Sequence, residues 1–89
     1  MLYHISVTRK AVKQLVKIPN EHRSRIFGAI RLLGDSETWR DVRHLVNHKY
    51  GYRLRVGRYR VLFDATDDLN IEINEIIIEE VVKRDERTY

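Results

Sequence analysis

Tyr52-Arg53-Leu54-Arg55-Val56-Gly57-Arg58-Tyr59-Arg60-Val61-Leu62-Phe63 is the stretch that decides the fold. Tyr52, Leu54 and Val56 alternate with Arg53 and Arg55, and Tyr59, Val61 and Phe63 alternate with Arg58, Arg60 and Leu62, the period of two that belongs to β-strands. Gly57-Arg58 separates the runs, and glycine at the first central position is what a type II′ hairpin turn requires. A two-residue loop there sets the register. Val56 faces Tyr59, Arg55 faces Arg60, Leu54 faces Val61 and Arg53 faces Leu62. Tyr52, Leu54, Val56, Tyr59, Val61 and Phe63 then share one face and form core, while the other face gathers Arg53, Arg55 and Arg60.

Two arginines set directly opposite repel by roughly a few tenths to 1 kcal/mol, so a face shaped for stability alone would place Glu or Thr against one of them. The pairing points to an anionic ligand. The alternative is a solvated face whose arginines meet carboxylates elsewhere, such as Glu79 or Glu80. Arginine in place of lysine favours phosphate, because its planar fork holds two oxygens at once. Alternation turns Tyr52 and Tyr59 into the core and leaves Tyr89 free to stack on a base.

Outward from the hairpin, Tyr3 to Val7 favours a first strand. Thr8 caps a helix of about Arg9 to Ile18, with Ala11, Val12, Leu15 and Val16 on its apolar side. Pro19 ends it. Asn20 is the expected N-cap of a second helix, roughly Glu21 to Leu33, whose stripe is Ile26, Phe27, Ile30 and Leu33 and whose stop is Gly34. Asp35 to Lys49 has no clean period and reads as a loop with a helical turn around Trp39 to Leu45, Trp39 capping the core. Asp64 to Asp68 is a turn, and Ile71 to Lys83 a last strand interrupted near Asn74-Glu75. The expectation is an α+β fold in which two N-terminal helices pack on a small antiparallel sheet of about four strands, one domain over residues 1–89.

Length allows one domain, and 43% hydrophobic with 34% charged residues is globular rather than disordered. The chain has no cysteine, which excludes disulfides and zinc-thiolate sites and makes the cytoplasm the expected compartment. Met1 to Val7 lacks the features of a signal peptide, and no run reaches membrane-spanning length, so no membrane partner is expected. Seventeen Lys and Arg against thirteen Asp and Glu, a net charge of +4, favour polyanions. His44 and His48 stand four apart, with Asp41 three before His44, the spacing of metal ligands on a helix. The zincin glutamate is missing, however, and extended backbone leading into the hairpin would part the two rings, so they read as surface histidines and no metal is expected. Gly51 and Gly57 are turn glycines, and Asp67 and Asp68 turn residues.

The hairpin string, the β run after it and the ending Lys83-Arg84-Asp85-Glu86-Arg87-Thr88-Tyr89 together resemble the RelE/ParE toxin superfamily over essentially the whole chain. Lys-Arg followed by a near-terminal tyrosine is similar to the RelE-like mRNA interferases. That resemblance implies the toxin of a type II toxin–antitoxin system: a cofactor-free endoribonuclease that enters the ribosomal A site, cuts mRNA there, and is silenced in a hetero-oligomer with its cognate antitoxin. It implies catalytic roles for Arg55, Arg60, Arg84 and Tyr89 and RNA binding by Arg53, Arg58 and Arg87, with Arg87 as the substitute for Arg84 because the spacing to the tyrosine varies. His44 and His48 are second-rank acid–base candidates. The implied reaction is attack of a ribose 2′-OH on its own 3′ phosphate, with Arg60 and Arg84 stabilising the charge and Tyr89 as base. An antitoxin segment, acidic or amphipathic, is expected on the two helices and the sheet edge. A ParE-like inhibitor of DNA gyrase, or a non-catalytic RNA- or ribosome-binding module, would suit the same residues.

Overall fold

A computed structural model describes residues 1–66 and 74–84. Its elements are β1 (Tyr3–Val7), α1 (Arg9–Val16), α2 (Asn20–Leu32), a 3-10 turn (Ser36–Thr38), β2 (Val42–His44), β3 (Tyr52–Val56), β4 (Tyr59–Ala65) and β5 (Asn74–Lys83). The β3–β4 hairpin has the expected register, from Tyr52↔Phe63 through Arg55↔Arg60 to Val56↔Tyr59. Gly57 holds φ at +57°, a value that suits glycine and few other residues.

Five described strands form one mixed sheet in the order β1-β5-β4-β3-β2, with β1 parallel to β5 and the other neighbours antiparallel. The sheet therefore has one strand more than expected and is not wholly antiparallel. The added strand is β2, which replaces the helical turn expected around Trp39 to Leu45. A three-residue segment has little helical preference of its own, and the open edge of β3 offers unpaired backbone groups. Val42, Arg43 and His44 pair with Leu54, Arg53 and Tyr52, and Asp41, at φ 56°, turns its carbonyl to accept from Arg55 N (2.9 Å).

Thr8 caps α1 as expected, accepting from Ala11 N, and its hydroxyl also donates to the Glu79 carbonyl (3.1 Å). Glu79 is the unpaired residue of an irregularity where Leu62 pairs with Glu80 but Phe63 with Ile78. The interruption of the last strand thus lies at Glu79, whereas Asn74 and Glu75 pair regularly with β1; residues 71–73 of the expected strand lie outside the described residues. Beyond the end of β1, α1 serves the edge of β5: the Gln14 amide oxygen accepts from Val81 N (2.7 Å). The α1 helix stops at Val16, short of Ile18. Asn20 does not cap α2. Pro19 occupies that position without a side-chain bond, and Asn20 Oδ1 accepts from Arg23 instead (3.1 Å). Gly34 follows α2 without the positive φ of a left-handed stop.

Ala11, Leu15, Ile26, Ile30 and Leu33 of the helical layer bury against Leu54, Val61, Phe63, Ile76, Ile78 and Val81 of the sheet. Each large side chain fully withdrawn from water contributes about 1.5–3 kcal/mol. Trp39 closes one end of this core. Its ring stacks on Tyr3 (5.5 Å) and meets Tyr52 and Phe63 edge-on, while its Nε1 donates to the Leu33 carbonyl (2.9 Å). Val12, Val16 and Phe27, expected in the apolar stripes, remain exposed, Val16 by 66% and Phe27 by 44%. No described helix is long and apolar enough to cross a membrane.

Candidate functional site

Cross-strand partners share a face, so the register orders the side of the sheet away from the helical layer into rows. One row is Arg43, Arg53, Leu62 and Glu80 across β2, β3, β4 and β5, and the next is Arg55, Arg60 and Val82. Two arginine pairs are therefore directly opposed, Arg43 with Arg53 and Arg55 with Arg60. Sequence reasoning missed Arg43 because the short alternation Val42-Arg43-His44 was absorbed into an expected helical turn. Arg58 stands at the hairpin tip, and the Arg84 N–H donates to its carbonyl, which brings the basic end of β5 beside the turn.

Carboxylates on this face do not neutralise Arg43, Arg53, Arg55, Arg58 or Arg84, none of which has an ion-pair partner among the described residues. Asp64 Oδ1 accepts from Gly51 N (2.7 Å). Glu80 is engaged on the α1 side by Lys10 Nζ (3.1 Å) and Gln14 Nε2 (3.3 Å), and by the hydroxyl of Tyr50. Glu79 and Glu80 are thus not counter-ions of these arginines. The shielded Nε of Arg53 has no hydrogen-bond partner among the described residues, a donor left for an acceptor from outside.

Arg60 differs from its neighbours. It is only 2% exposed, and Nη1 donates to the carbonyls of Gly57 (3.1 Å) and Tyr59 (2.9 Å). The sequence puts Arg60 on an arginine face with Arg53 and Arg55; in the structure it is buried there, its guanidinium folded back onto the carbonyls of the hairpin turn, which it braces. Alternation assigned the correct face but carried no information about what encloses it.

Tyr50 is the second residue that sequence reasoning left out. Its side chain starts ahead of β3 and reaches Glu80 on β5, so it passes over β4 on the arginine side and is itself buried. Burial, the bond to Glu80 and the Glu80 charge push the Tyr50 hydroxyl above its ordinary pKa, against a smaller opposing effect of Lys10. For Glu80, burial pushes the pKa up, but hydrogen bonds from Tyr50, Lys10 and Gln14 and the Lys10 charge outweigh it and hold the carboxyl below the ordinary value. Tyr50 lies between the stretch without a clean period and the Tyr52–Phe63 alternation, so no periodic signal marked it.

His44 lies exposed on β2 against Tyr52 (5.0 Å between rings), and the Nδ1 of exposed His48 accepts from Tyr50 N (3.1 Å). Among the described residues no group of three His, Cys, Asp or Glu is arranged to hold a metal ion. Arg87 and Tyr89 lie outside the described residues. Among the described residues this face offers fixed guanidinium charges and forked donors suited to phosphate oxygens.

No protein-family model matches the chain, and no curated protein matches it in sequence. Solved structures do match in shape. A chain of the RelBE2 toxin–antitoxin complex of Mycobacterium tuberculosis is 22% identical with a TM-score of 0.74, covering 94% of this chain and 100% of the other. One from the archaeal RelE–RelB complex of Pyrococcus horikoshii OT3 is 25% identical with a TM-score of 0.73 (97% and 99% covered), and one from the RelB–RelE complex of Methanococcus jannaschii is 24% identical with a TM-score of 0.64 (88% of each). Two helices on one side of a five-stranded mixed sheet, matched over nearly the whole chain, give this protein the α+β fold of the RelE toxins.

Proposed function

We propose that this chain is the toxin of a type II toxin–antitoxin pair and an endoribonuclease that cuts mRNA in the ribosomal A site without a metal ion, acting in the cytoplasm. The observation that carries the reading is the two opposed arginine pairs, Arg43 with Arg53 and Arg55 with Arg60, in successive rows on the face of a RelE toxin fold where the neighbouring carboxylates Asp64 and Glu80 are engaged elsewhere. Such a face attracts phosphate. In the reaction, the ribose 2′ oxygen bonds to the adjacent phosphorus, the bond to the 5′ oxygen of the next nucleotide breaks, and a cyclic or 3′ phosphate and a 5′-OH remain. Arg53 and Arg55 hold the phosphate, the buried Arg60 beside Arg55 supplies further charge, and Arg84 and Arg58 extend the contact at the hairpin end, with Arg87 as further RNA contact. Tyr89 takes the 2′-OH proton. Guanidinium does not release protons at neutral pH, so Arg55 stabilises charge and the leaving oxygen draws its proton from solvent or the ribosome.

Its partner is a cognate antitoxin whose amphipathic segment lies in the apolar groove between α1 and α2, lined by Val7, Val12, Val16 and Phe27. The test is cleavage of mRNA on ribosomes against the same RNA free in solution, with and without EDTA at levels that leave ribosomes intact, with the new 5′ ends mapped. Cuts in the A site on ribosomes only, unaffected by EDTA, are expected. Equal cutting of free RNA, EDTA-sensitive cutting, or no cutting at all with inhibition of gyrase, would each overturn the reading.

A further inference from the structure

On the opposite side of the sheet from the arginine rows, a pocket of about 280 Å³ opens between the start of α2 and the hairpin tip. Val56, Tyr59 and Lys83 are consecutive cross-strand partners and reach it from the sheet, His22 and Arg25 from α2, and Arg58 from the turn. The rings of His22 and Tyr59 lie 5.7 Å apart. Three permanent cations, Arg25, Arg58 and Lys83, thus border one small space, and none has an ion-pair partner among the described residues. Among the described residues no carboxylate lines the pocket; Glu21, next to His22, pairs with it at 3.4 Å and is itself 82% exposed. Like charges gathered around a concavity repel one another unless an anion enters, and no fold requirement explains them, since Arg25, Arg58 and Lys83 are all exposed.

The geometry points to a second phosphate-binding site, on the helix side of the hairpin tip, that takes one nucleotide of an RNA strand. Cations around the phosphate and aromatic rings beside the base are the combination by which single-stranded nucleic acid is held without reading its sequence. The pocket lies at the small end of ligand sites, on the order of 300 Å³, enough for a mononucleotide unit and not for a duplex. Arg58 stands at the turn, between this pocket and the arginine rows, so a strand leaving the first site can round the hairpin tip into the second. RNA as the source of the phosphate rests on the ribonuclease reading; the phosphate chemistry rests on the pocket alone.

Amide resonances of the full chain, followed during titration with adenosine 5′-monophosphate, with adenosine and with a hexaribonucleotide, test this. The monophosphate is expected to shift His22, Gly57 and Tyr59, and adenosine to leave them in place. Arg25→Gln combined with Lys83→Gln should weaken the monophosphate about tenfold or more at those resonances, as loss of charged hydrogen-bond partners does. Arg55→Gln should leave that affinity unchanged. The hexaribonucleotide should shift both faces in the wild type and only the arginine rows in the double variant. Should the double variant not fold, Arg25→Gln alone, at an exposed helical position, decides the matter. Shifts confined to the arginine rows, an affinity indifferent to Arg25 and Lys83, or adenosine binding as tightly as its monophosphate each overturn the site. Pocket binding by a protein that cuts nothing on ribosomes sinks the ribonuclease reading and leaves this one; cutting with a silent pocket does the reverse.

Discussion

Arg60 and Val61 are adjacent in sequence and opposite in role. Arg60 is enclosed on the arginine side with Nη1 bonded to two turn carbonyls, and Val61 is fully buried in the core on the other. On the proposed reading, Arg60→Ala removes a charge near the phosphate as well as the brace of the turn, so it should lower cleavage about 10²- to 10³-fold and stability by about 1–3 kcal/mol. Arg60→Lys keeps the charge without the fork and should recover part of the rate more than the stability. Val61→Ala should lower stability by about 1–3 kcal/mol and leave single-turnover cleavage by the folded fraction unchanged. Thermal melts with ribosome-bound mRNA cleavage decide between these roles. Equal loss of cleavage in Val61→Ala, measured on folded protein, would mean that the faces do not separate chemistry from packing.

Among the elements, the loop ahead of β3 is tied across the sheet to α1 and β5 through Tyr50, Glu80, Lys10 and Gln14. Glu80 titrates below its ordinary value of 4.5 in the folded chain, so its contribution is complete above that value and is lost as pH falls through the lower folded pKa. Tyr50 titrates above its ordinary value of 10.0, so its contribution is complete below that and is lost as pH rises through the raised folded pKa. Glu80→Gln should therefore lower the Tm near pH 7, and the difference from the wild type should shrink as pH falls below 4.5 and through the lower folded value, each kcal/mol being about 4–8 °C in a domain of this size. A Tm difference that stays constant from pH 7 to pH 3 would show that the Glu80 charge does not stabilise the clamp.

Across the whole molecule, the helical layer is incompletely covered. Val7, Val12, Val16 and Phe27 line a groove of about 240 Å³ between α1 and α2, on the side of the protein away from the arginine rows. An antitoxin segment seated there buries this surface without touching the arginines, and would need further chain to reach them. Phe27→Asp, at a position already 44% exposed, should change the Tm little but weaken the antitoxin at least about tenfold, as loss of an aromatic anchor does. Titration calorimetry with the purified antitoxin reads the effect. Unchanged affinity would remove the groove from the interface.

Short-range chemistry made the hairpin, its register and the pairing of Arg55 with Arg60 legible in the sequence, because a two-residue turn and a period of two leave no freedom once Gly57 is recognised. The Thr8 cap, the two-helix layer and the core role of Trp39 were legible for similar reasons of local pattern. Long-range contacts decided the rest. The strand β2, and with it Arg43 opposite Arg53, exists because the edge of β3 needs a backbone partner, a demand that residues 42–44 do not express by themselves. Parallel pairing of β1 with β5 joins residues some seventy positions apart. The enclosure of Arg60, the crossing of Tyr50 to Glu80 and the meeting of α2 with the hairpin tip around Arg25, Arg58 and Lys83 depend on which segments cover which face. Periodicity assigns a side chain to a face; only tertiary packing determines what lies above it.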